Sequence, residues 1–372
     1  MAKFVYAEGI YLSVGVGCME QVLVGMSGGV DSSVAALILM ERYQVSGVTM
    51  KLFDSGDIVT EGKTCCAITD VEDARRVCHR LGLTHHMFNF TDEFRREVMG
   101  RFADGYARGE TPNPCIDCNR FVKFPGLLRR GALLGFPYIA TGHYAQIRRD
   151  QSSGRFQLLR AVDRAKDQSY VLYAMTQEEL GRTLLPLGDK TKPEIRAMAE
   201  AAGLVTADKA ESQDICFVPD GDYGTFLIEK MGIPVENGDI MNQSGQVLGT
   251  HSGAIRYTIG QRRGLGIAAP APLYVTGKDM ARNVVTVGVQ ADLLRDCFHV
   301  QAPNWVSISA LTEPLAVTVM TRYRDREEAA TLYPLEDGGV EVRLHAPKRA
   351  ITPGQAAVFY QGDVVVGGGV IR

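Results

Sequence analysis

Residues 22–40 read VLVGMSGGVDSSVAALILM, and this stretch limits the fold more than any other in the chain. A strand-like apolar run passes through a tight glycine turn into an apolar run of helical length. Gly28 and Gly29 let backbone N–H groups approach an anion closely, and Ser32 and Ser33 open a helix whose N-terminus favours negative charge. The same alternation continues to about residue 205. VSGVTMKLF, DVEDARRVCHRLG and THHMFNF read as strand, helix and strand, and a long helical stretch around EFRREVMGRFADGYARG leads to a loop at 111–119. FVKFPGLLRRGALLG then reads as a helix, PYIATGH as a strand and KPEIRAMAEAAG as a helix. Such a pattern predicts an α/β fold with a parallel sheet covered by helices on both faces.

The pattern changes after about residue 220. Turn signals become frequent, helical periodicity fades, and short β-rich runs appear: NVVTVGV, LAVTVMTRY, GGVEVRLH and AAVFYQGDVVVGGGVIR. These predict a small C-terminal β-domain or barrel. The expected organisation is an extension at 1–18, a catalytic domain at 19–222, a small middle domain at 223–290 and a C-terminal β-barrel domain at 291–372. A start at Met19 loses nothing that looks structural, so residues 1–18 read as a disordered extension or an overlong reading frame.

Length and composition fit a multidomain globular protein: 372 residues, 45% hydrophobic and 22% charged. No apolar run reaches the roughly 18 residues that a membrane span needs, and the N-terminus lacks a signal-peptide pattern. The expectation is a cytoplasmic protein. Eight unevenly placed cysteines do not form a secreted disulfide framework, so they read as packing, catalytic or metal-binding thiols. Of these, Cys18, Cys78 and Cys297 read as incidental or core, and the adjacent Cys65–Cys66 pair has no assigned role. A net charge of −3 carries no global nucleic-acid signature, so any RNA contact must come from local basic patches.

The glycine loop is not a Walker loop. The nearest decoy, Gly62-Lys63-Thr64 after Gly56, has the wrong gap and no strand leading into it. Instead SGGVDSS resembles the loop of the N-type (PP-loop) ATP pyrophosphatases, which cut ATP between its α and β phosphates and adenylate an oxygen of the substrate. Asp31 would repel a bare phosphate, so here it reads as a ligand for Mg²⁺, direct or through water.

Further motifs narrow the substrate. TPNPCIDCNR, IATGHYAQI, KDQSYVLY, ESQDICF, GTHSGAIRYTIGQRRGLGI and TPGQAAVFY resemble, in order and spacing, the tRNA-uridine 2-sulfurtransferases. The resemblance spans residues 20–372. It implies that ATP adenylates the C2 oxygen of the wobble uridine of tRNA and that a cysteine persulfide then delivers sulfur to C2. In this matching Cys216 is the persulfide carrier and Cys118 the second catalytic cysteine, able to close a disulfide with Cys216. The nucleotide contacts implied are Gly25, Met26, Ser27, Gly28, Gly29, Val30, Asp31, Ser32, Met50 and Gly142. The tRNA contacts implied are Asn113, Pro114 and Cys115 at the target base, then His143, Lys166, Asp167 and Gln168, and in the barrel Arg322, Tyr323 and Gln355. Taken singly these residues have plainer readings: Met50 as core, His143 as a packed histidine, Arg322 and Tyr323 as a solvated strand edge, and Cys216 as a buried thiol. The implied partners are the anticodon stem-loops of the tRNAs for Lys, Glu and Gln, and a sulfur-relay protein or cysteine desulfurase as donor.

One position departs from the family pattern. Many members carry Asp where this chain has Cys115, and Asp117 substitutes for that acid only if its segment turns it inward. The change also creates a C-x-x-C with a distant third thiol. Cys115, Cys118 and Cys216 thus match the ligand set of a [4Fe–4S] cluster, and that reading stands beside a cluster-free persulfide mechanism. Two other classes remain to be weighed. An ATP-dependent amide-forming synthetase leaves the paired thiols without a role. A non-catalytic RNA-binding protein leaves the glycine loop without one.

Overall fold

The computed structural model describes residues 19–54, 57, 68–207, 209 and 215–372. The extension at 1–18, the Gly62-Lys63-Thr64 decoy, Cys65–Cys66 and residues 212–214 of SQDICF lie outside the described residues.

Five strands form the first sheet: β1 (Gln21–Gly25), β2 (Gln44–Lys51), β3 (Thr84–Asn89), β4 (Tyr138–Ala140) and, after two strands that leave the sheet, β7 (Thr183–Leu184). Their order is β3-β2-β1-β4-β7, and every pairing is parallel. Central β1 packs on both faces, so its apolar residues run without alternation; Val22, Leu23 and Val24 are fully buried. Each such side chain contributes about 1.5–3 kcal/mol relative to exposure. Strand order reverses between β1 and β4. In open parallel sheets that reversal leaves a crevice at the carboxyl ends of the strands, where ligands bind. The loops that open there are SGGVDSS after β1 and ATGH after β4.

Helix Val30–Leu39 follows β1 and packs against helix Lys192–Ala201. The predicted loop at 111–119 is shorter than expected. A helix begins at Pro114, because Asn113 caps it by accepting the Cys115 N–H (3.1 Å) and proline is pre-set for the first helical position. It continues through a π-helical stretch, Cys118–Lys123, into Phe124–Leu133. A second π-helical stretch, Arg95–Gly100, interrupts the preceding helix and packs beside the first. Such wide turns recur at functional sites in helices.

Two strands inside the N-terminal region pair elsewhere. β5 (Ala145–Arg149) and β6 (Phe156–Arg160) form a hairpin whose β6 pairs with the barrel strand β17 (Val364–Ile371) through Leu159 and Val364. The middle region holds β8 (Gly238–Asn242), β9 (Val247–His251), β10 (Tyr274–Asp279) and β11 (Val284–Gly288), in the order β10-β11-β8-β9 around Ile240, Val275, Val285 and Val287. The barrel adds β12 (Leu294–Trp305), β13 (Leu315–Met320), β14 (Glu328–Pro334), β15 (Val340–Arg349) and β16 (Ala356–Gln361). Pairing of β12 with both β15 and β17 closes it, which removes the exposed edges of an open sheet.

Candidate active site

The loop after β1 is built for close backbone approach. Gly28 has φ +74°, and a Cβ there would lie 2.3 Å from the Asp70 carbonyl oxygen, so a side chain fits neither the backbone nor the space. Gly142, after β4, is equally confined: a Cβ would sit 2.8 Å from the Ser32 nitrogen. The two strand ends therefore meet at the start of helix Val30–Leu39. Gly29 is its N-cap and supplies no side-chain acceptor, so the first helical N–H groups are left to a ligand. Ser32 braces the turn from inside. Its Oγ accepts the Ser27 N–H (3.1 Å) and donates to the Gly29 carbonyl (3.1 Å). The Met26 N–H is spent on the Val48 carbonyl of β2 (2.7 Å), and Val30 is buried in the core. Gly25 ends β1, and half-buried Met50 lies near the end of β2 against the cluster that contains Cys118.

Asp31 does not fit the Mg²⁺ role expected of it. Nζ of Lys192 donates to both of its carboxylate oxygens (2.7 and 2.9 Å), and the Tyr144 hydroxyl donates to Oδ1 (2.6 Å). Lys192 is nine-tenths buried, so its charge is committed to this pair. The ammonium removes the repulsion that had called for a metal ion.

Around TPNPCIDCNR the two cysteines differ in setting. Cys115 is exposed in the first helical turn, whereas Cys118 is buried at the start of the π-helical stretch. Cys118 belongs to the large hydrophobic cluster shared by Phe94, Phe102 and Phe217, and half-buried Cys216 packs against the same cluster. Both thiols thus border the same apolar cluster, which extends from Leu23 in β1 to Val365 in β17. Asp117 is half-buried. Burial pushes its carboxyl up to about 6, Arg101 and Arg120 pull it down, and Glu97 raises it. His143 stays neutral, held well below the usual histidine range by burial and by Lys123; its Nδ1 lies 2.8 Å from the Thr141 hydroxyl.

The residues matched to tRNA contact divide into two groups. Cys115, Lys166 and Tyr323 have exposed or half-buried side chains, with the Tyr323 ring tilted against Tyr170 and capped by the Arg324 guanidinium. The others are already engaged inside the protein. Asp167 accepts from the Ala161 N–H, the Ser169 hydroxyl and Arg160. Gln168 holds Tyr144 through its side chain and its N–H. Arg322 donates to the carbonyls of Ile259 and Ala350, tying the middle region to the barrel. Gln355 donates to the Thr111 carbonyl while the Thr111 N–H donates to Pro353 (2.9 Å). A barrel turn therefore fixes the start of the cysteine segment.

Residues 20–220 match the family described as the tRNA methyl transferase HUP domain, residues 225–289 its PRC-barrel domain, and residues 295–371 the aminomethyltransferase beta-barrel domain. The chain is 47% identical over 357 residues to the tRNA-specific 2-thiouridylase MnmA of Acetivibrio thermocellus, covering 95% of this chain and 99% of that one. It is 45% identical over 355 residues to the protein of the same name from Clostridium acetobutylicum, covering 95% of this chain and 99% of that one. The chain belongs to the tRNA-specific 2-thiouridylase family.

Within this 2-thiouridylase-family fold, Lys192, Lys209, Tyr144, Asp70 and Asp73 carry contacts that no sequence motif announces. Lys192 opens a helix with a Thr191–Glu194 capping box, a signal that marks the helix but says nothing of its reach to Asp31. The iron–sulfur reading finds no support in the geometry. Among the described residues no three His, Cys, Asp or Glu side chains gather as they would around a metal ion, so Cys115, Cys118 and Cys216 do not present the required ligand set. Among the described residues no helix is long and apolar enough to cross a membrane.

Proposed function

We propose that this protein thiolates C2 of the wobble uridine of tRNA at the expense of ATP. The observation that carries the reading is the relationship to 2-thiouridylases over nearly the whole length of the chain, with the candidate thiols Cys118 and Cys216 bordering the same apolar cluster. The glycine loop holds the phosphates of ATP through backbone N–H groups at the helix N-terminus. The uracil C2 oxygen attacks the α phosphate, and pyrophosphate leaves. Esterified in this way, the oxygen becomes a good leaving group. The terminal sulfur of a persulfide on Cys216 bonds to C2, and AMP departs with the former carbonyl oxygen. The Cys118 thiolate attacks the Cys216 sulfur and releases the delivered sulfur, leaving a Cys118–Cys216 disulfide that a thiol reductant reopens.

The persulfide comes from a sulfur-relay protein or a cysteine desulfurase, and the tRNAs are those for Lys, Glu and Gln. Half-buried Tyr323, with the Arg324 guanidinium over its ring, supports contact with an unpaired base near Cys115. The test is incubation with ATP, a persulfide donor and unmodified tRNA, followed by nucleoside analysis. The expected products are 2-thiouridine, AMP and pyrophosphate. AMP formation with an amine acceptor and no 2-thiouridine would instead support the amide-forming alternative.

A further inference from the structure

Two thiols stand one helical turn apart with opposite access to solvent. Cys115 is exposed in the first turn of the helix that begins at Pro114, and Cys118 is only 8% exposed where the π-helical stretch begins. The Cys118 N–H donates to the carbonyls of both Cys115 and Pro114, so the turn closes directly between the two cysteines. Asn113 fixes that turn from its start by accepting the Cys115 N–H (3.1 Å). Helical rise and rotation set residues three apart at a Cα separation of about 5 Å. A disulfide spans Cα separations of roughly 4.4–6.8 Å, so a small adjustment of the first turn is enough to bridge this pair. Residues three apart share one helical face and tilt toward the N-terminus, which carries Cys118 back over the turn that holds Cys115.

The difference in exposure has a chemical consequence. Cys118 lies within the large apolar cluster and offers little surface to a thiol from solution. Thiol–disulfide exchange depends on access to the sulfur attacked, so a disulfide on Cys118 is poorly open to an external reductant at that end. An external thiol that attacked the Cys216 end instead would leave a mixed disulfide on the sulfur carrier.

We propose that Cys115 is the resolving thiol for Cys118: it takes over the disulfide that sulfur release leaves there and presents it to solvent. The proposal rests on the sulfur-transfer reading, which supplies the Cys118–Cys216 disulfide. The Cys115 thiolate, its proton lost to water, attacks the Cys118 sulfur. A Cys115–Cys118 bond forms, the Cys118–Cys216 bond breaks, and Cys216 leaves as a thiolate ready for the next persulfide sulfur. The disulfide moves without net oxidation. Glutathione then attacks the exposed Cys115 sulfur and Cys118 leaves as a thiolate. A second glutathione attacks the mixed disulfide on Cys115, which returns the thiol and forms oxidised glutathione. Because attacking and attacked residues share one turn, the internal exchange does not wait on diffusion.

The test has two arms. In the first, Cys216→Ser protein is equilibrated in a glutathione redox buffer without tRNA or ATP, then quenched and digested with trypsin. Residues 109–120 form one tryptic peptide that holds both cysteines. The expected product is that peptide lighter by two hydrogens, the internal disulfide; a peptide that carries only glutathione adducts would overturn the proposal. In the second arm, wild type and Cys115→Ser act on unmodified tRNA with ATP and cysteine persulfide, and the first turnover is compared with the steady rate in glutathione. The ratio of steady to first-turnover rate should fall about tenfold in Cys115→Ser, with Cys118–Cys216 disulfide accumulating, and a small dithiol should restore it. A cysteine that only shaped the turn would slow all turnovers together, and the dithiol would not alter the ratio. An unchanged ratio in Cys115→Ser would overturn the proposal, and Cys115→Ala should repeat the serine result. Absence of 2-thiouridine from the wild type is a failure of the sulfur-transfer reading, whereas failure of the internal disulfide to close in the first arm is a failure of this proposal alone.

Discussion

Replacing Asp117 with asparagine isolates the cost of burying its carboxylate. The folded protein holds this group at about 6, against an ordinary value of 3.8, with burial as the main cause. Below pH about 3 the carboxyl is protonated in both the folded and the unfolded chain, and the native state bears no penalty. As pH rises from about 3 to about 6, the unfolded chain ionises first and native stability falls; the full penalty is in place above pH about 7. A tenfold change in proton affinity is worth about 1.4 kcal/mol, so the gap between the folded and unfolded values sets an upper bound of about 3 kcal/mol. Screening by solvent at this half-buried site reduces it to about 1–3 kcal/mol, the pull of Arg101 and Arg120 being already contained in the folded value. Asparagine keeps the shape and cannot ionise. Asp117→Asn should therefore match the wild type near pH 3 and exceed it by about 1–3 kcal/mol at pH 8, a rise of roughly 3–8 °C in melting temperature. Thermal unfolding at a series of pH values reads the difference, and carbon NMR of the Asp117 carboxyl reads its titration directly. A carboxyl that titrates at or below 4, or a variant whose advantage does not grow with pH, would refute the reasoning.

Other perturbations have equally definite outcomes. Gly28→Ala forces a left-handed alanine against the Asp70 carbonyl and should cost about 2–4 kcal/mol, seen in thermal unfolding together with weakened ATP binding by calorimetry. Lys192→Met leaves the Asp31 carboxylate without its cation and should destabilise the domain by about 2–4 kcal/mol. Adding Asp31→Asn should recover a good part of that loss, because the pair acts as a unit. Cys216→Ser and Cys118→Ser should each abolish steady 2-thiouridine formation while ATP binding stays within about twofold of wild type. A Cys216→Ser enzyme that still turned over would remove that residue as carrier.

Much of the architecture could be read from local pattern. Strand-loop-helix alternation, glycine at a turn that only glycine can adopt, and β-rich runs after residue 220 are short-range signals, and each corresponds to an element in the fold. The hairpin β5–β6 had no such signal. Its sequence says strand at most, and its partner, β17, lies at the far end of the chain. The helix start at Pro114 is legible in the Asn-Pro signature, although the flanking prolines favour a loop reading.

The site divides along the same line. Residue types decide what chemistry is available, so the anion-binding turn follows from local sequence, whereas the choice of Cys118 and Cys216 among the thiols follows from the family resemblance of the motifs around them. Charge compensation is a property of distance, and distance belongs to the tertiary structure. Asp31 has the look of a metal ligand until Lys192 is found 2.7 Å away. Asp117 could be inward or outward, and packing decided it. Lys209 is an ordinary lysine until the fold lays its amine on Gly28. Periodicity and turn chemistry act between neighbours along the chain and are written in the sequence. Coulomb and hydrogen-bond partners are chosen among residues far apart in it, and only the folded chain brings them together.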